Sequence, residues 1–83
     1  MKVTVRYFAS IREGVGLSSE TVATAAPDIA ALREQLIGRG GGYAESLARG
    51  RAVRAALNQV MSDESTALTE ACEIAFFPPV TGG

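Results

Sequence analysis

The 83 residues contain no histidine, no tryptophan and a single cysteine. Without histidine there is no Ser-His-Asp triad, and the usual Cys/His spacings for zinc are missing. One cysteine cannot form an intrachain disulfide. Cys72 lies in an apolar run with no lysine beside it in sequence, so it reads as a small core residue rather than an activated thiol. No apolar stretch approaches the roughly 20 residues that span a bilayer. Met1-Lys2 leads directly into an alternating segment, so no signal peptide is expected and the protein is placed in the cytoplasm. Charge of one sign is also lacking. The net charge is −1, which argues against a basic face for nucleic acid. Arginines are scattered except for Arg49, Arg51 and Arg54, a cluster that reads as a solvated loop. With so few nucleophiles and bases, the chain has little to catalyse with by itself.

What is present describes a small folded domain. Hydrophobic residues make up 47% and charged residues 20%, a balance that supports a core, and the length suffices for one core but not two. From Lys2 to Tyr7 polar and apolar residues alternate, with Val3, Val5 and Tyr7 on one side, which predicts a half-buried strand. Gly14 and Gly16 punctuate a loop, and Glu20–Thr24 is a second β-prone stretch. Asp28 is placed to cap a helix carrying Ile29, Leu32 and Leu36 on one stripe. The run Gly40-Gly41-Gly42 is expected to end that helix, and Tyr43–Leu47 to add at most a short turn. Val53, Ala55 and Leu57 alternate with Arg54, Ala56 and Asn58. The pair Asn58-Gln59 then turns the chain into a short edge piece around Val60-Met61. Finally Cys72, Ile74 and Phe76 share one face of a last strand, and Glu73, Ala75 and Phe77 the other. The order β-β-α-β-(β)-β predicts an α+β domain, with one main helix packed on one face of a mixed sheet of four to five strands.

The ending Phe76-Phe77-Pro78-Pro79-Val80-Thr81-Gly82-Gly83 carries most of the functional information. Neither proline can donate to a ladder, so the sheet must stop there. The expected organisation is a domain over 1–77 and a flexible tail over 78–83. Six residues from Pro78 reach about 20 Å when extended. Gly82-Gly83 has no side chains and fits a channel too narrow for a Cβ. A carboxylate is a poor electrophile, because resonance and charge both repel a nucleophile. Coupling to ATP as an acyl-adenylate would remove that obstacle. This reading makes the chain a macromolecular co-substrate whose reactive group is the carboxylate of Gly83.

The segment from Glu73 to Gly83 resembles the closing signature of the small subunit of molybdopterin synthase, the MoaD type. The opening from Val3 to Glu13, with Tyr7-Phe8-Ala9 and Arg12-Glu13, and the central Ala56-Leu57-Asn58-Gln59 resemble that family too. The resemblance implies a β-grasp, or ubiquitin-like, topology with the first and last strands adjacent. It implies a sulfur carrier: a ubiquitin-activating-type enzyme uses ATP and Mg to adenylate Gly83, and sulfur converts it to a thiocarboxylate. Pro78, Pro79, Val80, Thr81 and Gly82 would then insert into the large subunit, where sulfur passes to cyclic pyranopterin monophosphate. A heterotetramer, two small subunits on a dimer of large ones, goes with this, and no cofactor is expected on the chain itself. Alternation points Phe8 and Phe77 away from the core and puts Met61 at an edge; with Arg12 they form the expected partner interface. Tyr7 stands where another apolar aromatic is expected, and the glycine run and the Arg49–Arg54 stretch match the family poorly. Rival readings are a carrier for thiamine-type sulfur chemistry, a ubiquitin-like modifier, and a passive binding domain.

Overall fold

The computed structural model describes residues 1–79. Eight elements lie in chain order: β1 (Lys2–Tyr7), α1 (Ala9–Val15), β2 (Ser19–Ala23), α2 (Ile29–Ile37), α3 (Gly41–Leu47), β3 (Arg54–Leu57), β4 (Val60–Ser62) and β5 (Glu73–Phe77). The strands form one mixed sheet in the order β2-β1-β5-β3-β4. β1 and β5 pair in parallel at its centre, with Tyr7 opposite Phe76, and the other pairs are antiparallel. First and last strands are therefore neighbours, as the β-grasp reading requires.

Alternation decides what each strand buries. Val3, Val5, Tyr7, Val22, Ala55, Ile74 and Phe76 join Ile29, Leu32 and Leu36 of α2 in one core, with Cys72 at its edge. The N-terminus of α2 is fully serviced. The Asp28 side chain accepts from the Ala31 N–H at 2.9 Å, while Ile29 and Ala30 donate to the carbonyls of Thr66 and Glu64. The loop before β5 thus satisfies N–H groups that a helix start always leaves over.

Two sequence expectations need correction. The loop expected around Gly14 and Gly16 is a helix, α1, which buries only Ile11 and ends at Gly16 with φ 89°. So short an element, with one core residue and two glycines nearby, leaves almost no periodic signal. Second, Gly40-Gly41-Gly42 does not end α2. The helix stops at Ile37, and Gly38 closes it by donating to Glu34. Gly40, at φ 76°, instead turns the chain into α3, whose first two residues are Gly41 and Gly42. Close approach explains the third glycine. A Cβ on Gly42 would overlap the Gly14 carbonyl oxygen and lie 2.8 Å from its carbon. A side chain there would push α1 and α3 apart. Among the described residues there are three helices, α2 being the main one expected from the sequence and α1 and α3 the shorter additions.

Arg33 anchors the loop between α3 and β3. It neighbours the Ile29/Leu32/Leu36 stripe and is only 3% exposed. Its guanidinium donates to the carbonyls of Leu47 (2.8 Å), Ala48 (2.7 Å) and Arg51 (3.3 Å), and to Glu64 (2.7 Å). Arg49 pairs with Glu34 and the same Glu64. Burial works against the Glu64 charge, but the two guanidiniums outweigh it and hold the carboxyl below its usual value. The cluster Arg49, Arg51 and Arg54 therefore does not act as a unit: Arg49 is ion-paired, Arg51 lends its carbonyl and Arg54 lies on β3.

Candidate functional site

The outer face of the sheet is built from the residues that alternation excludes from the core. Across β1 and β2 it is polar, with Lys2, Thr4, Arg6 and Thr21 exposed. Across β3, β4 and β5 it turns apolar. Ala56 stands opposite Ala75 on β5 and opposite Met61 on β4, while Phe77 stands opposite Arg54. Because Tyr7 pairs with Phe76, the next residue, Phe8, comes beside Phe77, and its N–H donates to the Phe76 carbonyl at 3.1 Å. The Arg6 guanidinium lies 5.5 Å from the Phe8 ring, a cation–π contact that holds the ring on the polar side of the patch.

Together Phe8, Met61, Phe77, Pro78 and Pro79 rim an open depression of 680 Å³ with Ala56 and Ala75 among its lining residues. Phe8 is 39% and Met61 58% exposed, a large apolar display for an 83-residue domain. Such a patch is the signature of an interaction surface. Arg12 does not line it: it sits exposed on α1, where its carbonyl accepts from the Gly16 cap. Alternation assigns Ala56, only 7% exposed, to a polar side with Arg54. It instead lines the depression, standing opposite Ala75 and Met61. An outward alanine between outward apolar residues is the signal for it.

β5 ends at Phe77. Pro78 is half-buried and Pro79 exposed, both beside the depression. The remaining expected tail residues, Val80, Thr81, Gly82 and the reactive Gly83, lie outside the described residues. What the described part supplies is the position from which they continue, at the margin of the apolar patch.

Tyr7 has a role the sequence does not reveal. Its hydroxyl donates to Glu20 at 2.8 Å, as does that of Tyr43 at 2.6 Å, and Arg39 completes the site at 2.9 Å. The two rings meet edge to face at 6.1 Å. Burial, then the bond to ionised Glu20, push the Tyr7 phenol far above its usual range. Burial also opposes the Glu20 charge, yet the bonds from Tyr43, Tyr7 and Arg39 prevail and hold that carboxyl below its usual value. This network ties β1, β2, the turn after α2 and α3 together, and none of its residues lines the depression. Among the described residues no group of three metal-ligating side chains comes together, and no helix is long and apolar enough to cross a membrane.

A family model described as the ThiS family matches residues 5–83. A protein of Escherichia coli (strain K12) named molybdopterin synthase sulfur carrier subunit is 40% identical over 81 residues, 98% of this chain and 99% of that one. A protein of the same name from Haemophilus influenzae is 36% identical over the same shares. Among solved structures, one titled as the complex of subunits 1 and 2 of molybdopterin-converting factor from Helicobacter pylori holds a chain 32% identical. The match covers 100% of both chains, with a TM-score of 0.69. SAMP1 from Haloferax volcanii superposes with a TM-score of 0.77 at 19% identity, again over both whole chains, a likeness of fold alone.

Proposed function

The chain belongs to the ThiS family, and on that premise we propose that it is the sulfur carrier subunit of a molybdopterin synthase. The observation that carries this reading is end-to-end identity of 36–40% with curated carriers of that name. The apolar patch supports it, because a carrier needs a docking surface at the root of its reactive end. The chemistry begins at Gly83. A partner enzyme of the ubiquitin-activating type joins its carboxylate to AMP from ATP, with Mg, releasing pyrophosphate. The terminal sulfur of a persulfide donor then attacks the acyl carbon and AMP leaves. A second thiol cleaves the resulting acyl disulfide, releasing the thiocarboxylate and leaving the donor sulfur and that thiol as a disulfide. Glycine suits this step because no side chain shields the acyl carbon.

The charged carrier next docks on the large subunit through Phe8, Met61 and Phe77, and Pro78 to Gly82 carry the thiocarboxylate to cyclic pyranopterin monophosphate. The pterin is bound by the large subunit, so this chain is a sulfur-donating subunit rather than an enzyme on its own. One carrier brings one sulfur, and a dithiolene needs two deliveries. The two kinds of subunit assemble as a heterotetramer in the cytoplasm.

Deleting Gly83, or adding one residue after it, tests the reading directly in a synthase reconstituted with the large subunit. Both variants should lose dithiolene formation while keeping the thermal unfolding of the parent. Retained product formation in either one would contradict the mechanism.

A further inference from the structure

The β3–β4 hairpin turns through two residues, Asn58 at φ 48° and Gln59 at φ 69°. Both central residues at positive φ is the type I′ pattern, for which Asn-Gly is the favoured pair. Asn58 justifies its place. Its N–H donates to the Glu73 carbonyl at 2.8 Å, and its side-chain oxygen accepts from the Glu73 N–H at 2.9 Å, locking the turn to β5. Gln59 has no such return. It is exposed, and among the hydrogen bonds of the described residues its side chain makes none. A long side chain held in the left-handed region, where glycine sits without strain, brings nothing to the fold here.

Its position gives the alternative. Gln59 is the uncharged polar side chain among the residues lining the Phe8–Met61–Phe77 depression. On the opposite margin stands Ala9, another non-glycine residue at positive φ, 52°. Strain that the fold does not require, placed on two margins of one exposed apolar surface, is where function is to be sought.

We infer that Gln59 is a recognition residue of the docking face, whose side-chain amide hydrogen-bonds to the main chain of the synthase large subunit. The inference rests on the sulfur-carrier reading. An apolar patch supplies contact area but little register. A primary amide offers one donor group and one acceptor, and these match the C=O and N–H of a peptide unit. On an otherwise apolar surface that pair fixes how the partner is seated, and so where Pro78, Pro79 and the residues after them are aimed.

The test uses the whole chain, the purified large subunit from the same organism, and two variants. Gln59→Gly removes the amide and relieves the backbone. It should raise Tm, by about 4 °C or more, while weakening binding to the large subunit about five- to tenfold by calorimetry. Gln59→Asn keeps a residue that tolerates the left-handed region but withdraws the amide by one methylene; it should fold normally and also bind more weakly. Wild-type affinity in both variants would overturn the inference and leave the carrier assignment standing. So would a lower Tm for Gln59→Gly, because Gln59 would then be serving the fold. Failure of the unaltered chain to bind the large subunit at all would overturn both readings.

Discussion

Gly42→Ala sets two effects of opposite sign against each other. Gly42 lies in the first turn of α3 without positive φ, so alanine is compatible with the backbone there. On helix propensity alone the change would stabilise by at most about 1 kcal/mol. The packing says otherwise. The new Cβ would overlap the Gly14 carbonyl oxygen, lie 2.8 Å from the Gly14 carbonyl carbon and 3.4 Å from the Val15 Cα. These are backbone atoms of α1, so no rotamer change makes room and the two helices must separate. Overpacking of this kind costs about 1–3 kcal/mol, occasionally more. The net expectation is a loss of about 1–2 kcal/mol, or a Tm lower by about 5–15 °C for a domain of this size. Differential scanning calorimetry on the two chains measures it. A Tm equal to or above that of the parent would refute the close-approach argument and leave the glycine run as a turn preference only.

Arg33→Met should cost about 2–4 kcal/mol, because the carbonyls of Leu47 and Ala48 lose a buried donor together, while the partly exposed Glu64 keeps Arg49. Against a total of roughly 4–12 kcal/mol for 83 residues, that is a large share. Urea unfolding reads it as a lower midpoint, and a loss below about 1 kcal/mol would contradict the clamp role. The Tyr7–Glu20 network predicts both pH limbs. Glu20 titrates below its ordinary 4.5 when folded, so its stabilisation is complete above that value and is lost as pH falls through the folded one. Tyr7 titrates above its ordinary 10.0, so stability is in place below pH 10 and declines as pH rises beyond it. Tyr7→Phe should flatten the alkaline decline in Tm, and an unchanged slope would count against the network. Phe77→Ala should weaken binding of the large subunit by about 2 kcal/mol or more, as a central aromatic anchor does, with a much smaller loss in Tm; equal losses in both would sink the interface reading.

The parts of the fold visible in the sequence are those with strong periodicity. Val3/Val5/Tyr7 and Cys72/Ile74/Phe76 alternate without interruption, so the two central strands and their buried sides are legible. Ile29, Leu32 and Leu36 mark α2, and Asp28 marks its start. The hidden parts depend on partners distant in sequence. α1 has one core residue, Ile11, and is held by α3 through the Gly14–Gly42 approach. Arg33 looks like a surface residue until Leu47, Ala48 and Glu64 come round it. Tyr7 reads as a minor departure, because Glu20, Tyr43 and Arg39 lie far along the chain. For the candidate site, alternation places Phe8 and Phe77 outward and the turn places Met61 at an edge, and the structure brings all three to one depression. It does not bring Arg12 there, and it adds Ala56, Ala75 and Gln59. Gln59 is unreadable because its left-handed φ is a property of the hairpin, not of the residue.

The sulfur-carrier reading stands or falls on the chemistry of Gly83. Its most direct test is the intact mass of the chain after incubation with an adenylating enzyme of the ubiquitin-activating type, ATP, Mg, a persulfide donor and a thiol reductant. The expected mass increase is that for one oxygen replaced by one sulfur, localised by fragmentation to Gly83. An unchanged mass, with the adenylating enzyme proven active on another carrier, would contradict it.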